Sequence, residues 1–360
     1  MTTPLRYGVI GLGQIVEAEH LPVLNTLSDV KVVAAAEARA DRYTTAEQIL
    51  GHPLDRYDDY HDLLARNDLD AVLVATPNDS HASITRAALA AGKHVFLEKP
   101  MATTLQDAWS LVEAQRGSGL AVQVGYVFRY SHLFRRCHEL IQDGAIGTPQ
   151  IAWCHEFRRA MPGQWRYRLG ASGGAFVEKN CHHFDLFNWL LGQNVSRAVA
   201  FGGQAQLTSG TTTTDILGNT LTIEESEIPD NANIALEFAE GARATLLISF
   251  FASFRHRLEL GVFGDQGLIV VHEDRREIEL QRGDGPSERF SALHPEGIDE
   301  PVHHGSVEQH RDFVRAVRGE KEVYCDLLMG YAGLLPAFMA ERSLKSGSVV
   351  DRWALEAEIS

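Results

Sequence analysis

Two domains of different kinds, an α/β unit followed by an α+β unit, are what the sequence predicts, and three observations predict them. At 360 residues the chain is too long for one ordinary core. Up to Gly125, short apolar runs alternate with helical patterns, the mark of a parallel sheet covered by helices on both faces. After Gly125 that rhythm stops, and β-rich segments joined by short turns take over. The predicted division is 1–125 and 126–360.

The strands of the first half fall at Tyr7–Ile10, Lys31–Ala36, Ala71–Ala75, His94–Leu97 and Ala121–Val124. They are almost continuously apolar, as burial on both faces requires. Ser80–Ala91 and Thr104–Arg116 read as helices closed by Gly92 and Gly117. In the second half Leu133, Phe134, Cys137, Leu140 and Ile141 repeat at helical spacing, so Ser131–Asp143 is an amphipathic helix ended by Gly144. A Gly173-Gly174 pair opens another helix, Phe176–Leu191. Asn233–Phe238, Ala242–Phe250, Leu258–Phe263, Leu268–His272 and Glu277–Leu280 then make an open-faced, largely antiparallel sheet. Val307–Arg318 and Leu327–Lys345 return to helix.

Charge and composition exclude several classes. The formal net charge of -15 repels a phosphate backbone and argues against a nucleic-acid partner. Neither a leader of basic then apolar residues nor a membrane-length apolar run is present, so a cytoplasmic protein without a membrane partner is expected. Cys137, Cys154, Cys181 and Cys325 are scattered without a CxxC pair, which points away from a zinc knuckle or a disulfide framework.

Directly after the first strand stands Gly11-Leu12-Gly13-Gln14-Ile15-Val16, a GxGxxG pattern with valine in place of the third glycine. Between a buried strand and a helix, it predicts a Rossmann domain in which the Gly11, Gly13, Gln14 and Ile15 segment holds a dinucleotide pyrophosphate. The valine is expected to push the helix away from the sheet. Glu37, at the end of the second strand, is placed to accept a ribose 2'-hydroxyl, which favours NAD. Arg39, two residues on, leaves NADP open, because an arginine there can pair with a 2'-phosphate. Thr76, Pro77, Asn78 and His81 follow the strand that ends at Ala75. They either line the cofactor or form a plain turn with an Asp79 or Ser80 cap.

Taken together, Gly11-x-Gly13 with His20, Ala75-Thr76-Pro77-Asn78, Glu98-Lys99-Pro100, and Ser172-Gly173-Gly174 leading to Glu178, His182, Asp185 and Trp189-Leu190-Leu191-Gly192 resemble the Gfo/Idh/MocA family. These are the relatives of glucose-fructose oxidoreductase and inositol dehydrogenase. The resemblance implies NAD or NADP, a sugar or cyclitol substrate, and dimers or tetramers assembled through the second sheet. It also implies that Lys99, with Glu98 before it, lies beside the nicotinamide and the reacting hydroxyl. The family's helix motif, aspartate then histidine then aspartate, maps onto Glu178, His182 and Asp185. Three departures stand out: glutamate at 178, the added charge of Lys179, and Asn180 at a usual glycine.

Residues 178, 182 and 185 are spaced i, i+4, i+7 and share one helical stripe, with Phe184, Phe187 and Leu191 opposite. Oxidising an alcohol requires a base near neutrality, so His182 is the expected general base, with Asp185 setting its tautomer. Glu178 is expected on a substrate hydroxyl, while Lys99 donates to the substrate oxygen or shares the proton transfer. The bland alternatives are a satisfied buried histidine and a solvated acidic face. A metal held by Glu178, Cys181, His182, His183 and Asp185 is disfavoured, since 181 and 183 leave the stripe. Arg129 and the basic, aromatic stretch with Arg158, Trp165 and Arg166 are further substrate candidates; so is Lys179, and the stretch equally suits a surface or subunit contact. His303, His304 and His310 have no spacing that selects a function.

The expected activity is hydride transfer between a nicotinamide and a secondary hydroxyl or ketone of a sugar, sugar derivative or inositol. Two rivals stay open: an NAD-dependent glycosidase working by transient oxidation and elimination, and a non-catalytic dinucleotide-binding regulator.

Overall fold

A computed structural model describes residues 3–291 and 305–359, which group into two compact units. The first holds the chain up to Ser131 and residues 305–331; the second holds residues 132–291 and 332–359. The C-terminal segment thus returns to the first unit, a division that differs from a single cut at residue 125. His303 and His304 lie outside the described residues.

In the first unit six parallel strands, β1 Leu5–Ile10, β2 Val30–Ala36, β3 Asp55–Tyr57, β4 Ala71–Val74, β5 His94–Leu97 and β6 Val122–Val124, lie in the order β3-β2-β1-β4-β5-β6. The five predicted strands are all present; β3, three residues long and polar, carried no apolar signal. The order reverses between β1 and β4, and such a switch point opens a crevice at the carboxyl ends of the strands. Tyr7, Val9, Val32, Leu73 and Phe96 fill the core together with Phe313 and Val314 of the helix Ser306–Val317.

The second unit is built on a nine-stranded sheet. Its strands are β7 Pro149–Phe157, β8 Val195–Gly203, β11 Asn231–Phe238, β12 Arg243–Ser249, β13 Arg257–Gly264, β14 Gly267–His272, β15 Glu277–Arg282, β16 Glu288–Ser291 and β17 Val350–Asp351. A separate two-stranded ribbon, β9 Thr212–Thr214 with β10 Thr220–Thr222, accompanies it. The large sheet is mixed: β7 pairs parallel with β12 and antiparallel with β13, while its other pairings are antiparallel. Residues alternate between its faces. Ala152, Cys154, Glu156, Leu246 and Ile248 turn to the buried face, where β7 meets the helix Cys181–Leu191. Ile151, Phe201, Leu247 and Phe263 are exposed on the other. Strand β12 therefore alternates buried with exposed, instead of being apolar on both sides as its composition suggests.

Candidate active site

The glycine fingerprint forms the expected strand–turn–helix. Gly11 has a φ of +91°, and a Cβ there would meet Ala75 O at 2.7 Å, so only glycine lets the turn close on the end of β4. The helix begins with a wide π turn, Val16–His20, before the α-helix Leu21–Thr26. Val16 is wholly buried in that turn. The helix is widened where the sequence predicts displacement, and the valine is taken into the core. The first-turn N–H groups near Gln14 and Ile15 have no intrahelical acceptor, which leaves them available to an anion.

Glu37 is held at the mouth of this turn, its Oε2 accepting Leu12 N–H at 2.8 Å and its Oε1 accepting Arg39 N–H at 2.9 Å. Thr76 packs on Gly11, and a Cβ on Gly13 would lie 3.4 Å from Arg42 Nη1. The nearby arginine is therefore Arg42, donating to Leu12 O at 3.0 Å, and not Arg39, whose guanidinium pairs with Asp41 in solvent. Arg42 was missed because it sits on the next helix, five residues past Glu37. Pro77 is exposed and Asn78 is buried. His81 faces Pro100 O at 2.8 Å and Thr76 O at 2.9 Å, so its ring braces two loops. Burial lowers its pKa.

The Glu98-Lys99-Pro100 segment follows β5. Glu98 Oε1 is 3.0 Å from His20 Nε2, and Oε2 accepts Lys99 N–H at 3.0 Å. His20 Nδ1 meets His310 Nε2 at 2.9 Å. Burial, then the neighbouring His20, hold His310 well below the usual imidazole range. Neutral His310 donates to His20, and His20 donates to Glu98. His310, for which the sequence offered no role, thus belongs to a buried chain that ends at Lys99. Arg129 is buried, with Nη1 3.8 Å from Met329 Sδ.

In the second unit, the helix that carries the family motif opens as a π turn, Phe176–Asn180, and continues as the α-helix Cys181–Leu191. Residues 174–188 are buried without interruption, so there is no solvated acidic face. Glu178, Lys179, His182 and Asp185 are 4%, 9%, 3% and 1% exposed, a concentration of buried ionisable groups that a core alone does not need. The helix is opened by Gly174, whose φ is +106° and where a Cβ would lie 2.3 Å from the Glu341 carboxylate. Glu341 Oε1 accepts Phe176 N–H at 3.3 Å, and burial raises this carboxyl to about 7.

Each departure from the family motif has its own partner. Arg166 Nε donates to Glu178 Oε1 at 2.9 Å, with its Nη1 on Pro162 O and its guanidinium stacked over Trp165. Lys179 Nζ is 3.3 Å from Glu156 Oε1. Asn180 Nδ2 lies 3.2 Å from His183 Nδ1. Glu156 is completely buried and also receives Arg158 Nη1 at 3.3 Å, His256 Nε2 at 2.9 Å and His183 Nε2 at 3.4 Å. Burial by itself raises its pKa, yet Lys179, His183, Arg158 and the His256 hydrogen bond hold it well below the usual carboxylate range. Burial pushes His183 down to about 3. Arg158 thus turns to Glu156, and the His183 ring faces Glu156 of β7. Among the described residues no group of three or more side chains is arranged to hold a metal.

A dinucleotide cradle on a Rossmann sheet, followed by a mixed-sheet unit with a buried acid–lysine–histidine helix, defines a nicotinamide-dependent oxidoreductase. The comparisons agree. Residues 5–126 match the model described as the oxidoreductase family with an NAD-binding Rossmann fold, and residues 134–270 match the GFO/IDH/MocA C-terminal domain. The chain belongs to the Gfo/Idh/MocA family. It is 26% identical to a myo-inositol 2-dehydrogenase of Thermotoga maritima over 343 residues, 95% of this chain and 96% of that one. It is 32% identical to an inositol 2-dehydrogenase of Salmonella typhimurium over 192 residues, 53% of this chain and 55% of the relative. A solved levoglucosan dehydrogenase in complex with NADH shares the fold, with a TM-score of 0.84, 22% identity, and 97% and 99% of the two chains covered.

Proposed function

We propose that the protein oxidises a secondary hydroxyl of a cyclitol or sugar-like polyol, or reduces the corresponding ketone, with NAD as the hydride partner. The observation that carries this is the burial of Glu178, Lys179, His182 and Asp185 on one helix of the second unit, in a chain that also holds the Gly11–Gly13 cradle and Glu37. The names of the inositol dehydrogenases support the substrate class.

Bound nicotinamide would supply the hydride acceptor or donor, held through the pyrophosphate at residues 11–15 and the ribose at Glu37. His182 takes the hydroxyl proton as the general base, and Asp185 orients its ring. Lys99 donates to a substrate oxygen and stabilises its developing negative charge. Glu178, paired with Arg166, accepts a second substrate hydroxyl; the polar groups of Lys179 and Trp165 orient the ring. The exposed sheet face with Phe201 and Phe263 is the surface through which copies of the chain assemble. Two observations favour the cytoplasm: the four cysteines are free and buried, and no described helix is long and apolar enough to cross a membrane.

A panel of inositols, aldoses and anhydrosugars with NAD tests the reading. Reduced nicotinamide should accumulate with at least one cyclitol or sugar. Release of an aglycone from glycosides with no net change in nicotinamide absorbance would replace the dehydrogenase with redox-neutral cleavage.

A further inference from the structure

Strands β8 and β11 are neighbours in the second sheet, and Asn231 pairs with Gly203 where one ends and the other begins. A turn of a few residues closes such a hairpin. The chain instead spends residues 204–230 on an excursion that carries the β9–β10 ribbon. Connections of that length inside a compact unit usually serve a function. This one is firmly built. The buried Asp230 carboxylate accepts the N–H groups of Ala205, Gln206 and Leu207, the last at 2.6 Å from Oδ2. Asp215 Oδ1 accepts those of Leu217 and Asn219 at 2.9 Å and closes the ribbon's tip. Leu207, Ile223 and Ile228 are buried.

What the excursion grips is the segment 160–169, which carries Trp165 and Arg166. Ala160 O accepts Ile216 N–H at 3.0 Å. Gln164 makes two ties from one side chain: its Oε1 accepts Glu224 N–H at 3.1 Å, and its Nε2 donates to Thr222 O. Tyr167 O accepts Glu227 N–H at 2.9 Å, and the Glu227 carboxylate accepts Leu169 N–H at 2.7 Å. Between these ties Gly163, at a φ of +88°, turns the chain in a conformation that favours glycine. Just past that turn, Arg166 stacks over Trp165 and donates to Glu178 of the site helix.

We propose that the 204–230 excursion is a specificity element of the substrate site, with Gln164 the positioning residue through which it holds Trp165 and Arg166 beside Glu178. The ligand it selects is a polyol ring. A guanidinium presents N–H donors in fixed directions, and an indole presents a flat apolar face with one donor. The pair discriminates between hydroxyl arrangements only while the backbone that bears it is fixed. This rests on the reading of the site helix given above and adds to it what decides which ring is accepted. Gln164 acts through the loop and not on the substrate.

The test is steady-state kinetics across a panel of inositols, aldoses and anhydrosugars, with NAD affinity measured in each variant as the sign of an intact fold. The variants are Gln164→Ala, Arg166→Ala, their double, and a chain whose residues 212–222 are replaced by a short glycine–serine turn. Gln164→Ala should raise KM for the preferred substrate ~3–30-fold, part of the worth of two hydrogen bonds, while kcat and NAD affinity stay close to native. Its ranking of the panel should flatten, because poor substrates gain little from an ordered loop. The shortened chain should flatten it likewise, and the double variant should be no worse than Arg166→Ala alone. Should the shortened chain fail to fold, Gln164→Ala decides, since it alters one half-buried side chain. A native KM and ranking in Gln164→Ala or in a folded shortened chain, an equal loss of kcat for every substrate, or multiplicative losses in the double variant overturns the proposal. Native turnover in His182→Ala, or a panel without a substrate, removes the site reading and this inference with it. Loss in His182→Ala beside an unaffected Gln164→Ala counts against the excursion alone.

Discussion

His20 and Glu98 meet at 3.0 Å between Nε2 and Oε1, and the other Glu98 oxygen holds the backbone N–H of Lys99 at the same distance. Lys99 is thus fixed from behind by a carboxylate that a histidine orients. His20→Ala removes the contact on Glu98 Oε1 and should loosen the segment that bears Lys99. A small misplacement of a reacting group costs up to ~10² in rate, so kcat should fall ~10–10²-fold while NAD affinity stays close to native. His310→Ala should show a milder form of the same loss. Steady-state kinetics with cofactor titration checks both.

NAD should be preferred over NADP, because the Glu37 carboxylate, held by Leu12 N–H at the end of β2, would repel a 2'-phosphate. Glu37→Ala narrows the preference. Arg42→Ala, which removes the guanidinium on Leu12 O, should weaken binding of both cofactors, whereas Arg39→Ala should change little because that side chain is engaged with Asp41. Fluorescence titrations at one ionic strength decide it, and tighter NADP binding by the native protein would refute the assignment of Glu37.

Folding stability should carry a signature of Glu341. Burial raises its carboxyl from 4.5 to about 7 in the folded chain, above the unfolded value. The folded state therefore keeps this proton while the unfolded state gives it up. The contribution is fully present below about pH 4.5 and is lost as pH rises through about 7. At ~1.4 kcal/mol per unit, the loss is on the order of 3–4 kcal/mol. Glu341→Gln should be more stable than native at about pH 8 and nearly equal to it at about pH 4, as read by denaturant melts.

The open sheet face should bury itself against a second copy. Ile151, Leu247 and Phe263 lie on it at 48%, 36% and 46% exposure, with Phe201 at 72% on β8. Several large apolar side chains exposed on one sheet face mark an interaction site. Sedimentation should give a multiple of 39.8 kDa, and Phe201→Asp with Phe263→Asp should shift it towards the monomer. A native monomer at micromolar concentration would contradict this.

Legibility in the sequence followed burial. The Rossmann strands, apolar on both faces, could be read directly, and Gly11 and Gly13 gave the turn. Strand β7 was missed because its buried face includes Glu156, a charge that breaks the apolar pattern and whose partners are distant in sequence. His20 and His310 are 290 residues apart, so no local spacing could join them. The helix over residues 176–191 was legible in the sequence, but its π opening and the burial of residues 174–188 were not. Arg42 carried no local signal, because it lies on the next helix, five residues past Glu37.

Single-turnover measurement of nicotinamide reduction in Lys99→Met, His182→Ala and the double variant tests most directly the proposal that both residues serve the proton transfer. Each single change should slow the hydride step by ~10²–10⁴ with NAD still bound, and the double variant should be little slower than the poorer single one. Near-native hydride transfer in His182→Ala across the neutral range, or fully multiplicative losses in the double variant, would contradict it.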